Sequence, residues 1–177
     1  SLLKQGERPE FCQGATLRIG DEVTDCGERA LIKNIDAIPF PDFSDFHRQD
    51  YLADYIRILF SRGCVGQCIY CVENDIMGTI RRRSPSNILE ELKLRVSQGY
   101  NKFQLSDLAL NSSIDTLKQI CRLIIHEELD IEFTFSEFRN SKLLDKELFG
   151  LLKKAGFKTL CFGAESGSQV ILDMMEK

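Results

Sequence analysis

At 177 residues the chain is the size of one domain and long enough to bury roughly two thirds of its unfolded surface; with 43% apolar and 28% charged residues it is no disordered polymer. A net charge of −4 excludes a global field recruiting nucleic acid or an anionic membrane, and no window holds the ~18 apolar residues of a membrane span. Seven cysteines, an odd number, suit thiolate chemistry in the reducing cytoplasm better than a disulfide framework.

Residues 1–54 read as a lead-in segment, with scattered glycines and no helical periodicity. Inside it, apolar alternation on both sides of Gly20-Asp21-Glu22 predicts a small hairpin. The run Ile38-Pro39-Phe40-Pro41-Asp42-Phe43 is excluded from helix, because each proline forces its predecessor into extended geometry, so it reads as a linker packing its aromatics on another surface. From residue 55 onward strands and helices alternate. The first strand is expected over 55–60 and runs straight into Cys64, Cys68 and Cys71. A helix over 85–96 follows, with Ser84 as N-cap and Pro85 at its first position. A strand around 103–105 precedes a helix over 114–128, whose Ile114, Leu117, Cys121, Ile124 and Ile125 share one buried face. A strand over 131–135 and a helix over 146–155, stopped by Gly156, complete the third unit. A strand over 159–162 and a helix over 169–176 form the fourth.

Strand-helix alternation at these spacings implies right-handed crossovers and a parallel sheet, hence an α/β barrel or doubly wound fold. Each predicted strand ends in polar residues: Ser61-Arg62-Gly63-Cys64, Ser106-Asp107, Ser136-Glu137 and Gly163-Ala164-Glu165-Ser166. In a parallel sheet those ends lie along one edge, where ligands bind.

Cys64, Cys68 and Cys71 have the spacing C-x3-C-x2-C. Three thiolates on a loop that Gly63 and Gly66 allow to turn sharply suit an iron-sulfur cube with one iron left open. Two alternatives stand beside this. The cysteines also share one face of a hypothetical helix, where they would be core residues. Thiolates suit zinc too, although a closed zinc site wants a fourth ligand, and none follows at finger spacing.

The cysteine spacing, with the aromatic Tyr70 just before the last cysteine, resembles the radical S-adenosylmethionine enzymes. The proline-rich run at 38–43, Arg81-Arg82-Arg83-Ser84-Pro85, Ser106-Asp107 and the glycine- and serine-rich stretch at 163–168 resemble the cobalamin-dependent subclass, to which anaerobic magnesium-protoporphyrin IX monomethyl ester cyclases belong. The resemblance implies a truncated partial (βα) barrel over 55–177. In it Cys64, Cys68 and Cys71 hold a 4Fe-4S cluster whose open iron chelates S-adenosylmethionine, yielding a deoxyadenosyl radical. It also implies cobalamin in the full-length parent and an electron donor such as flavodoxin or ferredoxin. The substrate implied is a small molecule, with porphyrin-like compounds as one class. Ser106 and Asp107 are expected near the methionine amino group, Tyr70 beside the cluster, and Glu165 with Ser166 near the ribose or amino group. Glu137 and Arg139 are candidates for the cofactor carboxylate or substrate, or for rim salt bridges.

The family core has six strand-helix units, and only four are counted here. No glycine-rich adenine motif is found, and Asp45-Phe46-His47-Arg48-Gln49-Asp50 lacks the glycine of a cobalamin signature, so His47 reads as a surface residue. A fragment is therefore expected, inactive alone and self-associating through its unpaired edge. A methylthiotransferase-like domain and a non-catalytic iron-sulfur or zinc module are the competing readings. Arg81-Arg82-Arg83 is expected as a solvated run, Cys121 and Cys161 as inert core thiols, and Cys12 and Cys26 as exposed.

Overall fold

The computed structural model describes residues 12–177, which fall into two compact units divided between Lys33 and Asn34. In the first unit, strands β1 (Thr16–Ile19) and β2 (Glu22–Asp25) pair antiparallel with Thr16 opposite Asp25 and Ile19 opposite Glu22. Gly20 turns the chain between them at φ 64°, which is the expected hairpin.

The second unit is built on four parallel strands in the order β3 (Ile56–Ile58), β6 (Lys102–Leu105), β7 (Glu132–Phe138), β8 (Leu160–Phe162). Helices α2 (Pro85–Ser97), α3 (Ile114–His126) and α4 (Lys146–Lys154) connect these strands, and α5 (Gln169–Met174) follows the last. Strand-helix units in chain order with a purely parallel sheet make this the partial (βα) barrel that the sequence predicts. Helix starts follow the capping chemistry: Ser84, Ser113 and Asp145 each accept a backbone N–H three residues on, and Pro85 occupies the first turn of α2.

One sheet face packs against the helices. Phe103, Leu105 and Phe133 meet Ile88 and Leu92 of α2, Leu117, Ile120, Cys121 and Ile124 of α3, and Leu148 and Leu152 of α4 in one core. Phe133 is its hub, with ring centroids 5.8 Å from Phe60, 6.0 Å from Phe103 and 4.3 Å from Phe157. Burial pushes the Cys121 thiol up to about 12, so this cysteine is an inert core thiol as expected. Between β6 and β7 the register slips: Phe103 faces Phe133 while Gln104 faces Phe135, leaving Thr134 as a bulge whose hydroxyl donates to the Phe103 carbonyl at 3.2 Å.

Residues 34–54 belong to the second unit, and the reason is electrostatic as well as apolar. Glu91, buried on α2, pairs with Arg83 and Arg95, and the two guanidiniums lie over the rings of Phe40 and Phe43 at 5.4 and 4.7 Å. Arg95 also donates to the Pro41 carbonyl at 2.6 Å, and the Ser84 N–H donates to Asp36 at 2.9 Å. The proline-rich run is thus clamped onto α2 by two cations sharing one carboxylate. This corrects the expectation of a solvated run at Arg83, while Arg82 is exposed as expected. Arg83 is anchored to Glu91, Asn87 and the Leu59 carbonyl, Arg82 bonds Ser112, and Arg81 bonds the carbonyls of Met77 and Thr79.

Among the described residues no helix is long and apolar enough to cross a membrane. Strand β7 runs three residues further than the apolar pattern suggests, so Ser136-Glu137 lies within a strand and not beyond its end. Ser136 is fully buried there, whereas Glu137 is exposed, as alternation along a strand requires.

Candidate metal and cofactor site

The cysteine loop leaves the sheet after Phe60 and is closed at its neck by a two-residue antiparallel pair, β4 (Ser61–Arg62) with β5 (Arg81–Arg82). Cys64 bridges Thr79 across this neck. Gly63 makes the closure possible: its φ is 85°, and a Cβ there would lie 2.5 Å from the Gly78 carbonyl oxygen, a space no other residue fits. A short helix α1 (Glu73–Met77) lies within the loop, but the three cysteines precede it, so they are not a stripe on a core helix.

Cys64, Cys68 and Cys71 line a single cavity of about 390 Å³ together with Tyr70, Glu137, Arg139, Cys161, Gly163 and Glu165. The cavity gathers the cysteine loop and the carboxyl ends of β7 and β8 at one sheet edge, as parallel topology dictates. Two sulfurs already have hydrogen-bond donors: the Gly66 N–H lies 3.3 Å from Cys64 Sγ, and Arg139 Nη1 lies 3.6 Å from Cys68 Sγ. Burial works against the Arg139 charge, but the Cys68 and Cys64 sulfurs outweigh it and raise the guanidinium above its ordinary pKa.

Among the described residues no three thiol, carboxylate or imidazole groups stand close enough to hold a single metal ion. A tetrahedral zinc with bonds of about 2.3 Å draws its sulfurs closely together, whereas a cube attaches each sulfur to a different corner and spaces them further apart. Three thiols around one roomy cavity, two of them with N–H donors, therefore fit a cluster better than an isolated ion.

The expected ligand-binding residues divide. Tyr70 and Glu165 line the cysteine cavity. Glu165 adopts a left-handed φ of 57°, strained for a side chain with a Cβ, and its carboxylate pairs with Lys177 at 3.1 Å. Ser166 is absent from that lining, and its hydroxyl accepts the Ser168 N–H at 3.1 Å, holding the turn before α5. Ser106 faces a second cavity of about 360 Å³, shared with Phe40, Arg57 and Arg83. Asp107 is 2% exposed, and its two oxygens accept the Ser61 hydroxyl and, at 2.9 Å, the Phe60 N–H. The structure thus turns Asp107 inward as a brace between the end of β6 and the base of the cysteine loop, instead of toward a bound amino group. Burial raises its carboxyl from 3.8 to about 6, partly offset by those two donors.

Two residues of the cavity are placed differently from the sequence reading. Cys161, expected as a core thiol, is exposed and lines the cavity, because Leu160 and Phe162 take the two adjoining positions of β8. Arg139 contacts a cysteine sulfur in addition to facing the cavity; its backbone N–H and carbonyl are both held by the amide of buried Asn111, at 2.9 and 2.8 Å. Nothing local in the sequence marks Asn111, whose role depends on a partner 28 positions away. Cys12 and Cys26, expected as exposed, are half-buried, and His47 is exposed as expected.

Residues 58–177 match the family model described as the Radical SAM superfamily. The chain is 28% identical over 180 residues to an uncharacterized methyltransferase of Pyrococcus horikoshii, covering 99% of this chain and 39% of the relative. It is 33% identical over 172 residues to a tRNA-2-methylthio-N(6)-dimethylallyladenosine synthase of Protochlamydia amoebophila, covering 89% of this chain and 36% of the relative. Its fold is similar to the radical S-adenosylmethionine methyltransferase TsrM of Kitasatospora setae. The structure of TsrM with tryptophan and a cofactor analogue aligns at TM-score 0.75 and 17% identity, over 97% of this chain and 35% of that one. The structure with cobalamin and a [4Fe-4S] cluster aligns at TM-score 0.61 and 23% identity, over 67% and 24%. The chain thus spans well under half the length of these relatives.

Proposed function

Because this chain belongs to the radical SAM superfamily, we propose that it is the cluster-binding and radical-generating part of a cobalamin-dependent enzyme, of methyltransferase type and acting on a small molecule. The observation that carries this reading is the convergence of Cys64, Cys68 and Cys71 on one cavity with Glu137, Arg139 and Glu165. When bound, a 4Fe-4S cluster supplies one electron to S-adenosylmethionine. The residues do the rest by positioning. The three thiols would hold the cluster, and the narrow neck around Gly63 fixes the loop that presents them. Arg139 would offer a cation, and Glu137 and Glu165 carboxylates, to a zwitterionic amino acid moiety bound in this cavity. Tyr70 provides a wall beside the last cysteine. Flavodoxin- or ferredoxin-type donors fit as the source of the electron, and cobalamin belongs to a part of the protein beyond these residues.

Anaerobic loading with iron and sulfide tests the site. Iron-sulfur absorbance and a reduced-cluster signal that S-adenosylmethionine perturbs are expected for the unmodified protein. Replacing Cys64, Cys68 or Cys71 singly by Ala is expected to remove nearly all of the bound iron while leaving helical content unchanged. Stoichiometric zinc with no iron would overturn the reading in favour of a structural metal module. The methylthiotransferase reading is favoured by one observation, the 33% identity to a tRNA-2-methylthio-N(6)-dimethylallyladenosine synthase. Binding of cobalamin by the full-length protein supports the first reading; a second iron-sulfur cluster in place of cobalamin supports the other.

A further inference from the structure

Resting on the cluster-binding reading above, we infer that Arg139 is a positioning residue that sets the reduction potential of the metal centre through its hydrogen bond to the sulfur of Cys68. Three independent features of the structure place the guanidinium there. Its Nη1 lies 3.6 Å from Cys68 Sγ, within reach of an N–H···S bond. Its backbone is pinned on both sides by the Asn111 amide, itself buried, so the side chain starts from a fixed point. The cysteine loop is shaped to receive it: a Cβ on Gly66 would stand 1.9 Å from Nη1, so the guanidinium occupies the volume a side chain at position 66 would take. Gly66 has no positive φ, and a side chain there would have to displace the end of the Arg139 side chain.

The chemistry follows from charge. Cys68 receives the guanidinium at 3.6 Å, and Cys64, which also accepts a neutral peptide N–H, lies within reach of the same cation. Hydrogen bonds to cluster sulfurs are among the groups' main controls on potential, and outer contacts of this kind orient and tune the metal. One-electron reduction adds one negative charge to the centre. A fixed positive charge beside Cys68 lowers the energy of that more negative state and raises the potential. Arg139 neither gains nor loses the electron, which an external one-electron donor supplies. A loop residue and a strand-end residue from different parts of the chain thereby make the potential depend on how well the loop is seated.

The experiment is a redox titration with dithionite as reductant, followed by electron paramagnetic resonance of the reduced cluster in the anaerobically reconstituted protein. The variants are Arg139→Gln, Arg139→Met and Gly66→Ala, with Arg122→Gln, a surface residue on α3, as the control for net charge. The expected midpoint falls from the unmodified protein to Arg139→Gln, which keeps a donor without the charge, and further to Arg139→Met. Gly66→Ala, which displaces the guanidinium while leaving it in the protein, falls as well, and Arg122→Gln stays put. At a poise near the original midpoint the reduced fraction in Arg139→Met and Gly66→Ala drops severalfold. Equal midpoints in cluster-loaded unmodified protein, Arg139→Met and Gly66→Ala overturn the inference while leaving the cluster site intact. If Arg139→Met cannot hold iron, an unshifted midpoint in Arg139→Gln and Gly66→Ala overturns it equally. Absence of any cluster from the unmodified protein overturns the site reading itself, and the inference with it.

Discussion

The two faces of the parallel sheet are built to opposite specifications. On the helix side, Phe103, Phe133, Leu148 and Leu152 are at most 1% exposed and pack in one continuous core. On the other side, Arg57, Gln104, Phe135 and Glu137 stand in half-open or exposed positions, and the cysteine cavity opens at its carboxyl edge. The first face is dominated by apolar side chains and confers stability; the second keeps charged and thiol groups accessible and carries the chemistry. Separating the two allows reactive residues to vary without unsettling the core.

The sharpest way to break this comparison is a pair of substitutions two residues apart on β7. Phe133→Ala removes the aromatic hub and is expected to cost about 3–5 kcal/mol in chemical denaturation. Phe135→Ala, on the half-open face, is expected to cost well under half as much. Equal losses would show that both faces are load-sharing core.

Asp107, at the junction of the two faces, is expected to have a smaller and pH-dependent effect. Its carboxyl in the folded protein lies at about 6, above the ordinary 3.8, so the folded state keeps its proton over a range where the unfolded chain has released it. The resulting stabilisation is complete below about pH 4, is lost as pH rises toward 6, and amounts to roughly 2–3 kcal/mol at most. Asp107→Asn should flatten this slope in denaturation curves between pH 4 and 6, because its oxygen accepts the Phe60 N–H and its amide donates to a rotated Ser61 hydroxyl. Asp107→Ala, which strands both donors, should cost about 1–3 kcal/mol at pH 4. A native stability curve with the same slope as that of Asp107→Asn between pH 4 and 6 would refute the buried brace.

The smallest effect is expected on the outer surface. Glu147 pairs with Lys118 and Arg122, and its side chain is 56% exposed; Lys118 holds its carboxyl below the usual range. Glu147→Ala should lower stability only slightly, and the difference should fade in high salt. A larger, salt-independent loss would mean that the helix layer depends on its rim charges more than on its apolar contacts.

Much of the helix-side architecture was legible because it rests on local chemistry. Ser84 with Pro85 announces α2, Gly156 ends the unit after α4, and the apolar stripe on α3 identifies its buried face. The cysteine spacing likewise announces the loop, since ligands from one short segment need no distant partner to be recognised. What escaped depends on long-range geometry. Arg83 looks like any solvated arginine until Glu91 and Phe40 are brought beside it. Leu160-Cys161-Phe162 is apolar throughout, so its pattern cannot tell which residue faces the cavity. Asp107 carries an acid's usual signature of function, yet its donors, Phe60 and Ser61, lie more than forty positions earlier and turn it inward. The Ser136-Glu137 pair ended the apolar run while the hydrogen-bonded strand continued, because pairing with β8 does not require apolar side chains.

The surplus Thr134 in β7 acts as a frameshift in side-chain direction. Strict alternation would send residues 133 and 138, five apart, to opposite sides, yet both phenylalanines lie in the core. By spending one unmatched residue on the way, the strand resets its parity, so that Glu137 emerges toward the thiols and Arg139, two further on, comes out alongside it.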